Sequence, residues 1–261
     1  MVHEMEHSLD MPLERVLSLI QHRIMTRTTY FGIPALKNPM DAWVYQEIIT
    51  ETRPGVIIEI GNKAGGGTLA LAHLCDLLDH GRVIGIDITH EAVSDVVRNH
   101  PRITLIEEDA CRCFSRVEKM IQPGETVLII EDSSHTYDNT FNILRLYSPL
   151  IALGGWFIVE DGICRHGLKE GPTPGPYEAA ETFVGGNEDF VIDREMESFV
   201  LTWNPKGFLR RVTVTEADGT RVGRKSVPAE SESFGAKLRE VVLLCVPPIL
   251  VRMVRRLTAG Q

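Results

Sequence analysis

A carboxylate followed by a glycine-rich turn is the feature of the sequence that most directly indicates chemistry. The apolar run around Glu59 leads into Gly61-Asn62-Lys63-Ala64-Gly65-Gly66-Gly67-Thr68 and then into a helical stretch. Glycines at a strand-to-helix turn let backbone N–H groups and the helix N-terminus approach a ligand closely. Glu59 would repel a pyrophosphate but attract a cationic or hydroxyl-rich ligand. The loop therefore predicts a nucleoside cofactor without phosphates, for which S-adenosylmethionine is the obvious candidate.

Asp87 ends the next apolar run, where an acidic residue commonly binds the hydroxyls of a ribose. The same feature would suit NAD, so the spacing of the glycines is the test. A dinucleotide-binding loop has the spacing GxGxxG, whereas Gly61 is followed here by three other residues before Gly65 and Gly66. That spacing, together with Glu59, argues against NAD.

Acidic residues also follow the other predicted strands. They are Asp109, Asp132 and the pair Glu160-Asp161. In open α/β sheets the ligand binds outside the carboxyl ends of the strands. Any one of these residues could instead cap a helix, but capping does not readily explain acids at every strand end.

The segment around His135 is the second candidate site. Asp132, Glu160 and Asp161 would form an oxygen-rich cluster, which suits a hard cation such as Mg²⁺. His135 could then act as a general base, because an imidazole titrates near neutral pH. The alternative, that His135 only hydrogen-bonds a loop, stays open.

Alternating strands and helices would bring these side chains to one edge of a sheet. Strands are predicted at 56–60, 83–87, 103–107, 127–131 and 156–160, with helices at 67–78, 91–99, 111–121 and 138–150 between them. This alternation predicts right-handed βαβ units and a doubly wound parallel sheet, an α/β fold. Helices at 12–26 and 40–50 precede the sheet, and the loop 30–37 between them would form an active-site lid with 165–176. A further helix is predicted at 176–185. Strands at 190–193, 199–203 and 208–214 would complete the sheet.

We therefore expect N-terminal helices and a lid in 1–52, the main domain in 53–215, and a linker with a C-terminal amphipathic helix in 216–261. Residues 216–233 read as a hairpin turn and linker. The apolar stretch 241–251 is too short to span a bilayer and contains two prolines. It is predicted to pack or to contact another subunit, with interfacial membrane contact as the alternative.

Bulk composition limits the classes of function. A chain of 261 residues suits one elaborated α/β domain, and a formal charge of −9 argues against nucleic-acid binding. The N-terminus shows no signal-peptide core, and the five cysteines form no CxxC pair. We expect a cytoplasmic homo-oligomer that acts on a small molecule and does not insert stably into a membrane.

Several segments together resemble the rhamnosyl O-methyltransferase/cephalosporin hydroxylase family, a branch of the class I S-adenosylmethionine-dependent methyltransferases. The resemblance runs from about residue 27 to residue 203. It is carried by 32–39 (GIPALKNP), by 45–47, by the glycine loop, by 132–135 and by 160–161. It implies a seven-stranded sheet whose last strand is antiparallel.

The resemblance also implies roles for individual residues. Glu59, Gly61, Asn62, Lys63, Gly65 and Gly66 would hold the methionine end of the cofactor, with Asp132 nearby; Asp87 would bind the ribose, and Asp109 and Ala110 would lie beside the adenine. Asp132, Glu160 and Asp161 match the family's magnesium-binding carboxylates. Asn62-Lys63 departs from the family's loop and places a cation near a positively charged cofactor.

The leading hypothesis is Mg²⁺-assisted methyl transfer to a hydroxyl of a sugar or glycosylated natural product in secondary metabolism. Asp132 and His135 would be the catalytic residues. One alternative is a metal-independent methyltransferase whose carboxylates only orient the acceptor. Another is a non-catalytic or hydroxylation-associated component that binds S-adenosylmethionine in an antibiotic pathway. A hydroxylase would need a redox centre, and the sequence shows no flavin loop or convincing two-histidine-one-carboxylate set.

Overall fold

The sheet that carries the predicted site has seven strands. The computed structural model describes residues 9–215 and 220–223. A short antiparallel hairpin, β1 (Thr29–Tyr30) and β2 (Ile33–Pro34), precedes the sheet. The sheet strands in chain order are β3 (Val56–Ile60), β4 (Arg82–Asp87), β5 (Ile103–Glu107), β6 (Val127–Glu131), β7 (Trp156–Val159), β8 (Phe190–Ile192) and β9 (Phe208–Arg211).

The spatial order of the sheet is β5-β4-β3-β6-β7-β9-β8. Strands β3 to β7 are parallel, whereas β9 is antiparallel to both of its neighbours. The chain crosses over between β5 and β6, so the carboxyl ends of β3, β4 and β6 meet where the strand order reverses. This confirms the doubly wound sheet and its antiparallel last strand.

Helices cover both faces of the sheet. The residues of β3 alternate between the two cores, with Ile58 in one and Ile57 in the other, and both are fully buried. Apolar strands buried on both faces are typical of parallel sheets. One face packs against α2 (Pro39–Thr52), α3 (Gly66–Leu77) and α4 (Asp95–Arg98); the other packs against α5 (Ala110–Glu118), α6 (Tyr137–Tyr147) and α7 (Pro176–Gly185).

The predicted strand 199–203 is wrong. Val200 has a left-handed backbone with φ of 68°, which ends an extended run. The N–H of Trp203 donates to Asp41 (2.8 Å), and its carbonyl accepts from the N–H of Ile163 (3.1 Å). The backbone groups of this segment are therefore paired with a side chain and a loop rather than with a strand.

The predicted helix 91–99 is shorter than expected, because only Asp95–Arg98 is α-helical. The Arg98 guanidinium binds the carbonyls of His90 and Val93, so these groups do not start a helix. The predicted strand 208–214 also divides in two. Beyond β9, β10 (Thr213–Thr215) pairs with β11 (Arg221–Gly223) as an antiparallel hairpin.

The predicted C-terminal helix lies outside the described residues. Among the residues that are described, no helix combines the length and the apolar character needed to cross a membrane. The remaining helix, α1 (Leu13–Arg27), precedes the hairpin and buries Leu17 and Ile24 in a small cluster with Trp203.

The start of α2 is fixed by a buried carboxylate. Asp41 is 4% exposed and accepts hydrogen bonds from Asn38 Nδ2 (2.8 Å), Thr202 Oγ1 (2.6 Å) and Trp203 N (2.8 Å). Burial raises the pKa of Asp41, although the three donors oppose this shift. The carboxylate joins the first turn of α2 to the loop before β9 and so fixes the segment that precedes the helix.

We expect Asp41→Ala to destabilise the fold by about 3 kcal/mol, because it leaves three buried donors without an acceptor. The measurement is urea-induced unfolding. Asp138→Ala is the matched control, since Asp138 is an exposed carboxylate in the first turn of α6; its effect should be much smaller. Equal losses for the two variants would contradict the anchoring role.

Candidate active site

The predicted site residues line one cleft at the carboxyl ends of the strands. The cleft has a volume of ≈ 470 Å³. Its walls include Glu59, Gly61, Asn62, Lys63, Asp87, Asp109, Ala110, Asp132, His135 and Asp161. Gly65, Gly66 and Glu160 do not line it.

The glycine loop contacts the end of β6 closely. Gly61 has φ of +89°, and a Cβ atom there would overlap the carbonyl oxygen of Asp132. Backbone hydrogen bonds extend the sheet at this point, from Gly61 N to Ile86 O and from Asp132 N to Ile60 O, both 2.8 Å. Glycine is therefore required at position 61 by its conformation and by the space available. The contact joins the two halves of the predicted site, which are the glycine loop and the acidic cluster around Asp132.

Asp87 and Asn62 hold the glycine loop in place. The Asp87 carboxylate accepts hydrogen bonds from Lys63 N at Oδ2 (2.7 Å) and from Thr89 N at Oδ1 (3.4 Å). Asn62 is 5% exposed, and its Oδ1 lies 3.1 Å from His90 Nε2, whereas its Nδ2 has no partner among the described residues. The side chain of Lys63 is exposed at the rim of the cleft.

Asp109 caps helix α5. Its Oδ1 accepts hydrogen bonds from Cys111 N (2.9 Å) and Arg112 N (3.1 Å). The capping interpretation therefore holds for Asp109, which also lines the cleft beside Ala110. A carboxylate in this position fixes the helix N-terminus that forms one wall of the cleft.

Gly65 and Gly66 are required by packing. A Cβ atom at Gly65 would lie 2.9 Å from Val97 Cγ1, and one at Gly66 would overlap the carbonyl oxygen of Pro34. The second contact places strand β2 directly on the start of α3. Their predicted contact with the cofactor stays a prediction.

Lys37 lies between the two halves of the site. Its Nζ donates to Asp132 Oδ2 at 2.5 Å and to Glu160 Oε1 at 2.6 Å, and it lies 3.4 Å from Glu59 Oε1. Glu59 is 1% exposed and also accepts a hydrogen bond from the Thr68 hydroxyl. One buried ammonium thus contacts a carboxylate predicted to hold the cofactor and two predicted to hold a metal.

The electrostatics of this group follow from burial and from an excess of acids. Burial lowers the pKa of Lys37, but Asp132, Glu160 and Glu59 outweigh it, so the pKa lies well above its usual value. Burial and the neighbouring Asp132 raise the pKa of Glu160, against the opposing effect of Lys37. Burial and Asp132 likewise raise the pKa of Asp161 to about 6. A single ammonium does not balance these carboxylates.

His135 lies beside Asp161 in the cleft. Its Nε2 lies 3.3 Å from Asp161 Oδ2, and its Nδ1 is buried with no hydrogen-bond partner among the described residues. Both residues have left-handed backbones, with φ of 55° and 57°. Such conformations are uncommon outside glycine and concentrate at functional sites.

The donor set fits a divalent cation. Asp132, His135 and Asp161 each offer one ligand atom, and these atoms lie within 4.8 Å of one another. Carboxylate oxygens suit Mg²⁺, with water completing the shell. Glu160 is turned towards Lys37, so its predicted role as a ligand stays a prediction.

Two functional positions escaped the sequence analysis. Lys37 stands in the segment that carries the family resemblance, and the excess of predicted acids was a signal that a counter-ion was needed. Glu131 is fully buried and accepts hydrogen bonds from Ser133 N (3.2 Å) and Thr140 Oγ1 (3.0 Å). It fixes the loop between Asp132 and His135.

Two histidines and a carboxylate do meet on the surface, at His73, Asp76 and His100. Their ligand atoms lie within 4.8 Å of one another. Asp76 is also bound by Arg102 at 2.7 Å, a cation that opposes a metal ion there. None of these residues lines the cleft. We interpret the group as a surface ion-pair network.

Comparison with known proteins identifies relatives over most of the chain. The model of the family described as rhamnosyl O-methyltransferase/CmcI matches residues 22–212. A rhamnosyl O-methyltransferase of Mycobacterium tuberculosis is 32% identical over 196 residues, which cover 72% of this chain and 80% of the relative. The rhamnosyl O-methyltransferase of Mycobacterium leprae is 30% identical over 197 residues, covering 72% and 85%.

Solved structures agree with the fold. A structure of CmcI described as a Mg-SAM form is 26% identical, with a TM-score of 0.57, and the match covers 71% of this chain and 76% of that one. An apo structure of CmcI gives a TM-score of 0.58 at 26% identity, covering 72% and 77%. The family match over residues 22–212 contains the sheet and the cleft, and the fold is that of the class I methyltransferases.

We expect Gly61→Ala to destabilise the protein by about 2 kcal/mol more than Gly124→Ala. Both glycines have φ near +85°, but a Cβ atom at Gly124 meets nothing within 4 Å. The control therefore carries the same backbone strain, about 1 kcal/mol, without the overlap at Asp132. Urea-induced unfolding measures the difference; equal losses would show that the close contact with β6 is not a constraint.

Proposed function

The chain belongs to the rhamnosyl O-methyltransferase/CmcI family and is an S-adenosylmethionine-dependent O-methyltransferase, and we propose that it methylates a hydroxyl of a sugar or glycosylated natural product with the help of Mg²⁺. One observation carries the proposal. A single cleft joins the glycine loop, where Glu59 and Asp87 lie, to the acids and the histidine at the ends of β6 and β7. The first group suits a cationic nucleoside, and the second suits the activation of a hydroxyl.

The glycine loop would bind the methyl donor. S-adenosylmethionine supplies the methyl group on a sulfonium centre, which carries a positive charge. Glu59 and the backbone N–H groups of the loop would orient its methionine end, and the remaining lone pairs of the Asp87 oxygens would accept hydrogen bonds from the ribose. Asp109 would keep the N-terminus of α5 in place beside the adenine.

Asp132 and Asp161 would hold the metal ion, with Glu160 as the further carboxylate. A divalent ion lowers the energy of the developing alkoxide of a hydroxyl acceptor, which is otherwise a poor nucleophile. His135 would take up the acceptor proton at Nε2, which lies 3.3 Å from Asp161 Oδ2, whereas its Nδ1 is buried. An imidazole nitrogen beside the metal-binding carboxylates is suited to general-base catalysis.

The relatives named rhamnosyl O-methyltransferase suggest rhamnosyl glycosides as acceptors. Rhamnosyl glycosides should give S-adenosylhomocysteine and a mass increase of one methyl group when incubated with the protein and the cofactor. The matching aglycones should give neither product. Product formation is measured by mass spectrometry with isotopically labelled cofactor. Turnover on the aglycones, or on none of the glycosides, would contradict the proposed sugar acceptor.

The metal requirement has its own test. Asp132→Ala and Glu160→Ala should each lower kcat/KM at least about 100-fold, since metal stabilisation of an alkoxide is worth several kcal/mol, and EDTA should abolish turnover until Mg²⁺ is restored. Asp138→Ala is the control, because Asp138 is an exposed carboxylate in the first turn of α6 and does not line the cleft. Turnover that survives both EDTA and the two variants would support the metal-independent alternative.

A further inference from the structure

Lys37 already places a cation between two of the carboxylates expected to bind the metal. Its Nζ lies 2.5 Å from Asp132 Oδ2 and 2.6 Å from Glu160 Oε1. Contacts this short between an ammonium and a carboxylate are charge-assisted hydrogen bonds. The lone pairs that face the ammonium are therefore not available to another cation while the lysine remains there.

We propose that Lys37 is a built-in counter-ion that holds Asp132 and Glu160 before a divalent ion binds and that competes with this ion for their oxygens. The inference rests on the proposed metal dependence and adds to it a residue that tunes metal affinity. Lys37 acts here as a positioning residue, because it touches the carboxylates and not the reacting atoms.

Burial makes this competition strong. The side chain of Lys37 is 13% exposed, and those of Asp132 and Glu160 are 18% and 8% exposed. Charges in such an environment interact several-fold more strongly than in water. A carboxylate pair without a counter-ion would be costly to bury. The Lys37 ammonium would therefore leave these oxygens only when the divalent ion replaces it.

The structure also offers Lys37 an alternative partner. Glu59 Oε1 lies 3.4 Å from Nζ, beyond the two shorter contacts. Lys37, Glu59 and Gly67 line both the cleft and a second cavity of ≈ 200 Å³ whose other walls are mainly apolar. A lysine that gives up Asp132 and Glu160 therefore has space beside it and keeps one buried carboxylate within reach.

Gly67 preserves that space. A Cβ atom there would lie 2.6 Å from Glu59 Oε1 and 2.9 Å from Lys37 Cε. Any larger residue would thus press on the acid and the lysine together. The first turn of α3 is shaped to accommodate the Lys37 stem.

The test is the affinity for Mg²⁺ in the absence of cofactor, measured by isothermal titration calorimetry on the full chain. Lys37→Met should bind Mg²⁺ at least about tenfold more tightly than the wild type, which corresponds to about 1.4 kcal/mol. Lys169→Met is the matched control, since it removes the same charge from a side chain that is 72% exposed and does not line the cleft. Its affinity should change by less than about threefold, because exposed charges are screened.

The outcomes separate the inference from the proposed function. If the wild type binds Mg²⁺ and Lys37→Met binds it equally or more weakly, the competition is overturned while the metal dependence stands. If none of the proteins binds Mg²⁺, the metal dependence itself is overturned, and the inference with it.

Loss of the ammonium also predicts a change in stability. Lys37→Met should unfold at a lower temperature than the wild type in metal-free buffer and should gain more from millimolar Mg²⁺. If Lys37→Met does not fold in metal-free buffer, the same comparison is made with Lys37→Gln. If neither variant folds without metal, refolding in Mg²⁺ decides: recovery supports replacement of the lysine by the ion, and failure to recover overturns it.

Discussion

The buried excess of negative charge at the carboxyl ends of β3, β6 and β7 is the constraint on which the rest of the structure depends. Glu59, Asp132, Glu160 and Asp161 meet there, and Lys37 contacts the first three. Burying ionised groups is costly unless they are paired. The protein therefore supplies one counter-ion itself and leaves a surplus of acids, which is the property expected of a site built to receive further cations.

This constraint explains why the segment before the sheet is part of the site. Lys37 directly precedes Asn38, the N-cap of α2, and Asp41 anchors the first turn of that helix to the loop before β9. Gly66 lets the hairpin lie directly on the start of α3. A segment anchored at both ends is more than a covering lid, because its withdrawal would remove the counter-ion from three acids. The occupancy of the carboxylates and the position of this segment are thus physically linked.

The sequence predicted the parallel strands and the cleft because both follow from local patterns. Continuous apolar runs identify buried strands, and acids at their ends must converge at one edge of a sheet. The same reasoning gave a wrong prediction for 199–203. Its apolar residues suggested a strand, but its backbone is paired with Asp41, which is distant in sequence. Lys37 was missed for the same reason, since no local pattern shows that a loop residue contacts acids on β3, β6 and β7.

Charge also accounts for the choice of cofactor better than the spacing of the glycines does. Gly65 and Gly66 are required by packing against Val97 and the hairpin, so their presence alone does not specify a ligand. S-adenosylmethionine carries a sulfonium, an ammonium and a carboxylate, and hence one net positive charge. Together with Lys37 and a divalent ion, it would supply four positive charges opposite Glu59, Asp132, Glu160 and Asp161. A pyrophosphate would instead add negative charge to a site that already has an excess of it, and this is the physical reason that the cleft favours a cationic nucleoside over a dinucleotide.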